Sequence, residues 1–503
     1  MEQQRKTTVA QQRNAHDVPQ SGVLTMERGR LSRRDLLGLG AAAGLVGTAM
    51  PLERAFAAWE AALPRRLQGT VTFCAYLYEA SLKQSAGGVT ETAPTRLYRK
   101  YMQMHPGVTL QMVPEPPGST NWNAWFVTRS IANRAPDLLQ VSPASGLPYV
   151  ERGFLTPITT YLFKPNPYIP GNKRWIDSLP KDFLKPFIGV DGQYYGMGAD
   201  TAAIWIYYNP EHLDRIGMKP PATWAEMIKA CATLKAKGIT PYSQASGRGW
   251  PITWWFVFTE SSLWASEFPP GTSLDLASWV KAVKKGLLKK TDARTRAAWQ
   301  IVKAFSTYWQ RGAVTGAGTK LYKDFADGKV TFMQEGSWQI GTLEGLLKKR
   351  FPLKALPTGI PPITRATSPY ANGSLQDSGV GALNGIAIWV TKHARDHLDL
   401  VADFLAYYSS PQVMGPMALE VGEVPMVKGI EKLPPLIQQA KEVAAQPMLL
   451  SIPYYSASVK YTTEYDRLAQ GYLAGAVPLD TALSQLDAIQ QATADHLGRL
   501  MRL

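Results

Sequence analysis

Val71-Thr72-Phe73-Cys74-Ala75 decides the fold once it is read with the seventy residues that follow. So short a run of β-branched and apolar residues predicts a strand. Residues 95–105 then show helical periodicity and stop at Pro106-Gly107. Residues 108–113 alternate as a second strand, 123–134 return to helix, and Asp137-Leu138-Leu139-Gln140-Val141 reads as a third strand after Pro136. Strand, helix, strand, helix, strand predicts an α/β fold with a largely parallel sheet. Ligands of such sheets gather at the carboxyl ends of the strands.

The alternation continues along the chain. Residues 203–208, 239–243 and 385–390 read as strands, and 276–288, 294–309, 396–408 and 479–500 as amphipathic helices. Thr223-Trp224-Ala225-Glu226 is a capping box that opens a helix running to Ala236. Residues 355–373 are rich in Pro, Gly and Thr and read as loop.

Outward to the N-terminus lies a different signal. Ser32-Arg33-Arg34-Asp35-Leu36-Leu37 precedes a Gly/Ala-rich apolar run over 38–50, and Ala55-Phe56-Ala57 offers a small-residue cleavage site. This order resembles a twin-arginine export signal, so residues 1–57 are read as leader and signal peptide. Met26 makes a natural start for such a signal, with 1–25 as an extra leader. The chain is then periplasmic or extracellular. It is either free there or tethered by an uncleaved segment over 36–50, since no lipid-accepting cysteine follows the apolar run.

About 445 residues remain, enough for two large lobes. Apolar residues make up 45% of the chain, and 15 Trp and 22 Tyr suggest aromatic-lined surfaces. The formal charge is +15, and because residues 1–57 hold eight Lys/Arg and five Asp/Glu the remainder stays near +12. The basic residues are scattered. The one cluster, Lys281, Lys284, Lys285, Lys289 and Lys290, has the spacing of a solvated helix face, so no nucleic-acid partner is expected. Cys74 and Cys231 each sit in apolar runs and read as small buried hydrophobes. His393 and His397 share a helix face but lack a following Glu and a third ligand, so no metal is expected. The chain also lacks a Gly-x-Gly-x-x-Gly turn, a Cys-x-x-Cys pair and a His-Glu-x-x-His helix, and no cofactor is expected.

An ordered series of local motifs then carries a family resemblance. His105-Pro106-Gly107-Val108-Thr109-Leu110, Ala135-Pro136-Asp137-Leu138-Leu139 and Gly153-Phe154-Leu155-Thr156-Pro157-Ile158 are followed by Pro221-Ala222-Thr223-Trp224-Ala225-Glu226. Next comes the most distinctive segment, Phe325-Ala326-Asp327-Gly328-Lys329-Val330-Thr331-Phe332-Met333-Gln334-Glu335-Gly336-Ser337-Trp338. Ser410-Pro411-Gln412 and Gly422-Glu423-Val424-Pro425 complete the order. From about Thr70 to Leu500 the chain resembles the extracellular solute-binding proteins of ABC importers, in the group that includes maltose-type sugar binders.

The resemblance implies a type II periplasmic-binding-protein fold, with two lobes that are each a mostly parallel sheet flanked by helices. One lobe is residues 69–200 with 385–425; the other is 201–384 with 426–503. Crossings are implied near 200–204, 379–385 and 424–429. The implied function is capture of a mono- or oligosaccharide between the lobes by hinge closure, and its delivery to permease subunits with a cytoplasmic ATPase. The chain is read as a monomer that performs no chemistry itself.

Sugars present C–H faces and hydroxyl rims, so their sites combine aromatic plates with polar groups. Trp338 falls where the family places a stacking aromatic, with Gly336 allowing close backbone approach. Tyr454 and Tyr455 fall in a late loop that supplies another plate, from one of the two. Trp250, Trp254 and Trp255 fall in the loop opposite Trp338, with one of them as a plate. Asp200, at the first crossing, is either a hydroxyl acceptor or a hinge residue. Ser142 and Ser145 follow Asp137, where many sugar binders carry an aromatic or acidic group. Tyr76, Tyr78 and Glu79 follow the first strand and reach toward the cleft, and Asn372 and Asn384 are amides near the second crossing.

Two other readings stay open. A ferric-ion or other small-solute binder of the same fold could use Tyr454 and Tyr455 as phenolate ligands. A secreted glycoside-active enzyme would need only a carboxylate pair, which requires no local motif.

Overall fold

The computed structural model describes residues 67–75, 78, 80–85, 88–114, 122–141, 146–189, 191–244, 250–314, 318–371, 383–384, 386–430 and 432–503. The leader with Arg33 and Arg34, and Tyr76, Glu79, Ser142, Ser145 and Asn372, lie outside the described residues.

The strands are β1 (Gln68–Cys74), the hairpin β2 (Leu82–Ser85) and β3 (Gly88–Glu91), β4 (Gly107–Met112) and β5 (Leu138–Val141). There follow β6 (Gly196–Gly198), β7 (Asp200–Ala202), β8 (Ile204–Tyr208), β9 (Thr240–Ser243) and β10 (Val330–Gly336). The last are β11 (Lys354–Ala355), β12 (Leu383–Asn384), β13 (Ala387–Val390) and β14 (Val424–Pro425).

The first sheet runs β4-β1-β5-β13-β6. β1 pairs parallel with β4 and β5, which follow it through the helices Ala93–Met104 and Trp122–Ile131. This is the expected βαβ geometry. β13 pairs antiparallel with both β5 and β6. The second sheet, β11-β8-β10-β9, is parallel only at β10–β9. The sheets are therefore mixed, which corrects the mostly parallel expectation. Every parallel pair is joined by a connection that contains at least one helix, and β13, which arrives after a long excursion, enters the first sheet in the opposite sense.

Side chains alternate across the first sheet, and both faces are covered. Val71, Phe73, Leu138, Ile388 and Val390 pack with Tyr98, Tyr101, Phe404 and Tyr407 on one face. Cys74, Leu139, Ala387 and Trp389 pack with Phe126, Tyr149 and Phe187 on the other. A second body, with a core drawn mainly from residues 203–497, surrounds the second sheet. Cys74 and Cys231 are both buried and unbonded to each other, one in each body. Between the bodies runs a short ribbon, β12-β7-β14, antiparallel throughout.

Local signals explain most helix ends. Thr223 accepts from Glu226 N while the Glu226 carboxylate accepts from Thr223 N, so the capping box is complete. Thr223→Ala is expected to remove about 1 kcal/mol of stability, and urea unfolding of the two proteins measures it; no change would mean Glu226 alone holds the end.

Two expectations fail here. Trp250, Trp254 and Trp255, implied by resemblance to lie in a loop, belong to the helix Trp250–Trp264. Trp254, Trp255, Phe256, Val257 and Phe258 are all buried, and so are Thr253, Thr259 and Glu260, so the helix is covered on every side and shows no amphipathic stripe. Lys290 is not on a solvated face. The helix Leu276–Lys284 ends before it, and its ammonium is buried against the Glu260 carboxylate. Lys281, Lys284, Lys285 and Lys289 are exposed as expected.

His397 Nε2 lies 3.0 Å from Asp137 Oδ1 at the start of the segment leading into Leu398–Tyr408. Among the described residues no helix is long and apolar enough to cross a membrane.

Candidate ligand-binding site

The site begins at the carboxyl end of β10. Every residue of Val330–Gly336 is buried, and the strand ends in one tight turn, Ser337–Gln339, that feeds the helix Ile340–Leu347. The turn is held on three sides. Tyr207 Oη donates to Gly336 O at 2.9 Å. Ser337 N donates to Ala203 O at 2.9 Å, and Ala203 N donates to Ser337 Oγ at 3.2 Å. Glu335 accepts from Tyr322 Oη at 2.5 Å and from Gly336 N at 3.1 Å.

Trp338 stands half-buried on this turn. Its ring folds back over Gly336, where a Cβ would lie 2.3 Å from the ring carbons. Only glycine permits that approach. One ring face thus rests on backbone while part of the ring stays open.

Asp200 is fully buried on β7. One oxygen accepts from Ile386 N at 2.7 Å and the other from the Tyr78 hydroxyl. Tyr78 is itself buried. The structure brings these two candidates together, but each satisfies the other. Both Asp200 oxygens are thus taken within the ribbon and the first body, with Tyr78 as one donor, which leaves no open hydroxyl acceptor there. Burial pushes the Asp200 carboxyl up to about 7, with the two hydrogen bonds opposing.

Trp254 and Tyr454 are corrected to core residues. Both are buried, with ring centroids 6.2 Å apart, and Tyr454 Oη donates to Asp466 Oδ1 at 2.7 Å. A ring closed on all sides offers no plate, and a hydroxyl spent on Asp466 weakens the paired-phenolate reading of Tyr454 and Tyr455. Burial raises Asp466 to about 6. Trp250 opens its helix, and Tyr455 follows Tyr454 in Ser451–Ser456. Among the described residues no group of three His, Cys, Asp or Glu is placed to hold a metal.

Two residues escaped the reading of the sequence. Gln334 is buried on β10, and among the described residues neither of its amide atoms finds a hydrogen-bond partner. A buried amide in that state is unfavourable by about 1–3 kcal/mol, and its one signal in the sequence is a glutamine inside an apolar strand. Glu423, at the start of β14, is buried and accepts from Ser337 Oγ at 3.3 Å.

Comparison with known proteins fits this geometry. Residues 96–445 match the family model described as bacterial extracellular solute-binding protein. A multiple sugar-binding protein of Streptococcus mutans is 21% identical over 159 residues, 31% of this chain and 34% of that protein. The sn-glycerol-3-phosphate-binding periplasmic protein UgpB of Brucella abortus is 27% identical over 154 residues, 28% of this chain and 31% of that protein. The matched region thus spans about a third of each relative. Among solved structures, a chitin oligosaccharide binding protein superposes with TM-score 0.65 at 18% identity, covering 85% of this chain and 99% of that one. The solute-binding protein RafE in complex with raffinose gives 0.62 at 15% identity, covering 85% and 100%. These likenesses establish the two-lobed fold. The family match covers well over half of the sequence, and the chain belongs to the bacterial extracellular solute-binding protein family.

Proposed function

We propose that this chain captures a carbohydrate between its lobes and hands it to the transmembrane subunits of an ABC permease driven by a cytoplasmic ATPase. Residues 69–200 with 385–425 form one lobe in this reading, and 201–384 with 426–503 the other. The carrying observation is Trp338, whose ring is laid over Gly336 on a braced turn beside the ribbon that joins the bodies. An aromatic plate with buried polar groups beside it suits the C–H faces and hydroxyl rims of a sugar. The proteins of like fold that bind chitin oligosaccharide and raffinose support the same class.

An extracellular solute-binding protein works outside the cytoplasm. Arg33 and Arg34 favour twin-arginine export, with the receptor working as a monomer, free or tethered by residues 36–50. The UgpB relative raises a phosphate ester as the second candidate. Glu335, buried at the end of β10 and hydrogen-bonded to Tyr322 and Gly336 N beside that turn, would repel a phosphate.

A thermal-shift screen of the protein against mono- and oligosaccharides, polyols and sn-glycerol 3-phosphate tests the proposal. A true ligand at a hundred times its Kd stabilises by about 2.7 kcal/mol. A shift with a saccharide is the expected result. A shift with the phosphate ester alone would replace the substrate class, and release of reducing sugar from the panel would replace binding by hydrolysis.

A further inference from the structure

The ribbon between the bodies carries two carboxylates on one face. β7 and β14 pair antiparallel, with Pro425 opposite Asp200 and Val424 opposite Thr201. Continuing that register puts Glu423 opposite Ala202, so Asp200 and Glu423 are diagonal neighbours on the same side. Both are buried. Asp200 takes its donors from the first body, Tyr78, and from Ile386 beside β13. Glu423 takes Ser337 from the second body. The residue before it, Gly422, has φ +85°, and a Cβ there would sit 3.5 Å from Gly341 N and 3.8 Å from Ser337 O. Two consecutive residues of this crossing therefore press on the turn that carries Trp338.

Among the described residues no Lys, Arg or His pairs with either carboxylate. The titratable groups that face the pair are Tyr78, Tyr408 at the end of Leu398–Tyr408, and Tyr207 on β8. Burial holds all three hydroxyls above their ordinary value, so they remain neutral. Glu335, nearby on β10, is occupied by Tyr322 and Gly336 N. The helices packed on the ribbon turn their charges elsewhere. Lys441 and Glu442 are exposed, and Glu420 is taken by Ala93 N and Arg96.

Two carboxylates so placed cannot both ionise cheaply. We propose that Asp200 and Glu423 act as one positioning pair that fixes the Trp338 turn against the ribbon, and that ionisation of the second carboxyl loosens the turn. Burial is the main cause that raises both carboxyls, Asp200 to about 7, with the charge on Asp200 adding to the rise of Glu423. As pH rises the pair acquires a second negative charge on one face of a three-strand ribbon, and the repulsion falls on the strands that hold Ser337. The link to ligand affinity rests on the reading of Trp338 as a plate; the link to the turn does not.

The test uses the whole protein labelled with 5-fluorotryptophan, with the Trp338 resonance identified by its loss in Trp338→Phe. That resonance is expected to shift as pH rises from 5 to 9. Glu423→Gln and Asp200→Asn should each abolish the titration, and Glu335→Gln should leave it in place. Glu423→Gln should also raise the melting temperature near pH 8, by less near pH 5, and leave it unchanged below about pH 4. The sign follows from linkage: an acid with a raised folded value contributes stability that is present at low pH and lost as pH rises. A Trp338 resonance that stays fixed from pH 5 to 9 in folded protein overturns the proposal, as does a titration that persists in both variants. If Trp338→Ala leaves saccharide affinity unchanged while the titration stands, the ligand reading fails and the positioning pair survives.

Discussion

Lys290→Met is expected to lower stability at pH 7 by about 3–5 kcal/mol, the usual consequence of stranding a buried charge. The Glu260 carboxylate lies at the centre of the second body. One oxygen accepts from Trp299 Nε1 at 2.7 Å and from the Tyr465 hydroxyl, and the other receives the Lys290 ammonium. The same ammonium sits 4.8 Å from the centroid of the Tyr465 ring, which stacks on Trp299 at 6.0 Å. These contacts tie Trp250–Trp264, Ala293–Phe305 and Val459–Ala474 to the segment after Leu276–Lys284. Burial alone would lower the Lys290 ammonium, but Glu260 outweighs it and holds the value above that of an ordinary lysine.

Methionine fills the space and removes the charge, so Glu260 is left ionised in a dry site. Adding Glu260→Gln to Lys290→Met should recover most of the loss. Urea unfolding at pH 7 reads both quantities, and a deficit under about 1 kcal/mol would mean that water reaches the pair.

Trp338→Ala is expected to weaken the ligand found by the thermal-shift screen by about 30-fold or more, the effect of truncating a dominant aromatic contact. The fold should survive, because Trp338 is only half-buried and its turn is braced by Tyr207, Ala203 and Glu423. Gly336→Ala probes the same plate from below. Its methyl would meet the ring at 2.3 Å, so the ring must leave its seat and affinity should fall with no atom of the plate removed. Calorimetric titration of both variants with the same saccharide decides the matter. Unchanged affinity in Trp338→Ala would make the tryptophan a packing residue.

What the chain reveals before folding depends on whether its signals are local. β1, β4 and β5 were legible because each is a short alternating run between turn residues, and Leu479–Leu500 because its stripe is regular. The helix Trp250–Trp264 was not, because burial on all sides erases the period that marks a helix. Trp254 and Tyr454 looked like plates for the same reason: composition announces an aromatic, and only packing tells which side of it is closed. The close approach of the Trp338 ring to Gly336 was legible from the Gly-x-Trp spacing. The partnership of Asp200 with Tyr78, and of Glu423 with Ser337, joins residues 122 and 86 positions apart, and no window on the sequence contains it. Lys290 looked solvated because its neighbours are, and its partner Glu260 lies 30 residues earlier.

The order of the first sheet bears on how the protein is made. β5 waits for β13, since Leu139 pairs with Trp389 and Gln140 with Ile388. About 250 residues must be synthesised between them, which takes roughly 10–50 s at 5–20 residues per second. During that interval β5 presents an apolar, unpaired edge of the kind that recruits other chains. The domain that begins first on the ribosome is thus closed late, by a strand delivered after most of the second body has emerged. A holding chaperone has its natural target there, and a nascent chain stalled before Ala387 is the form most prone to aggregate.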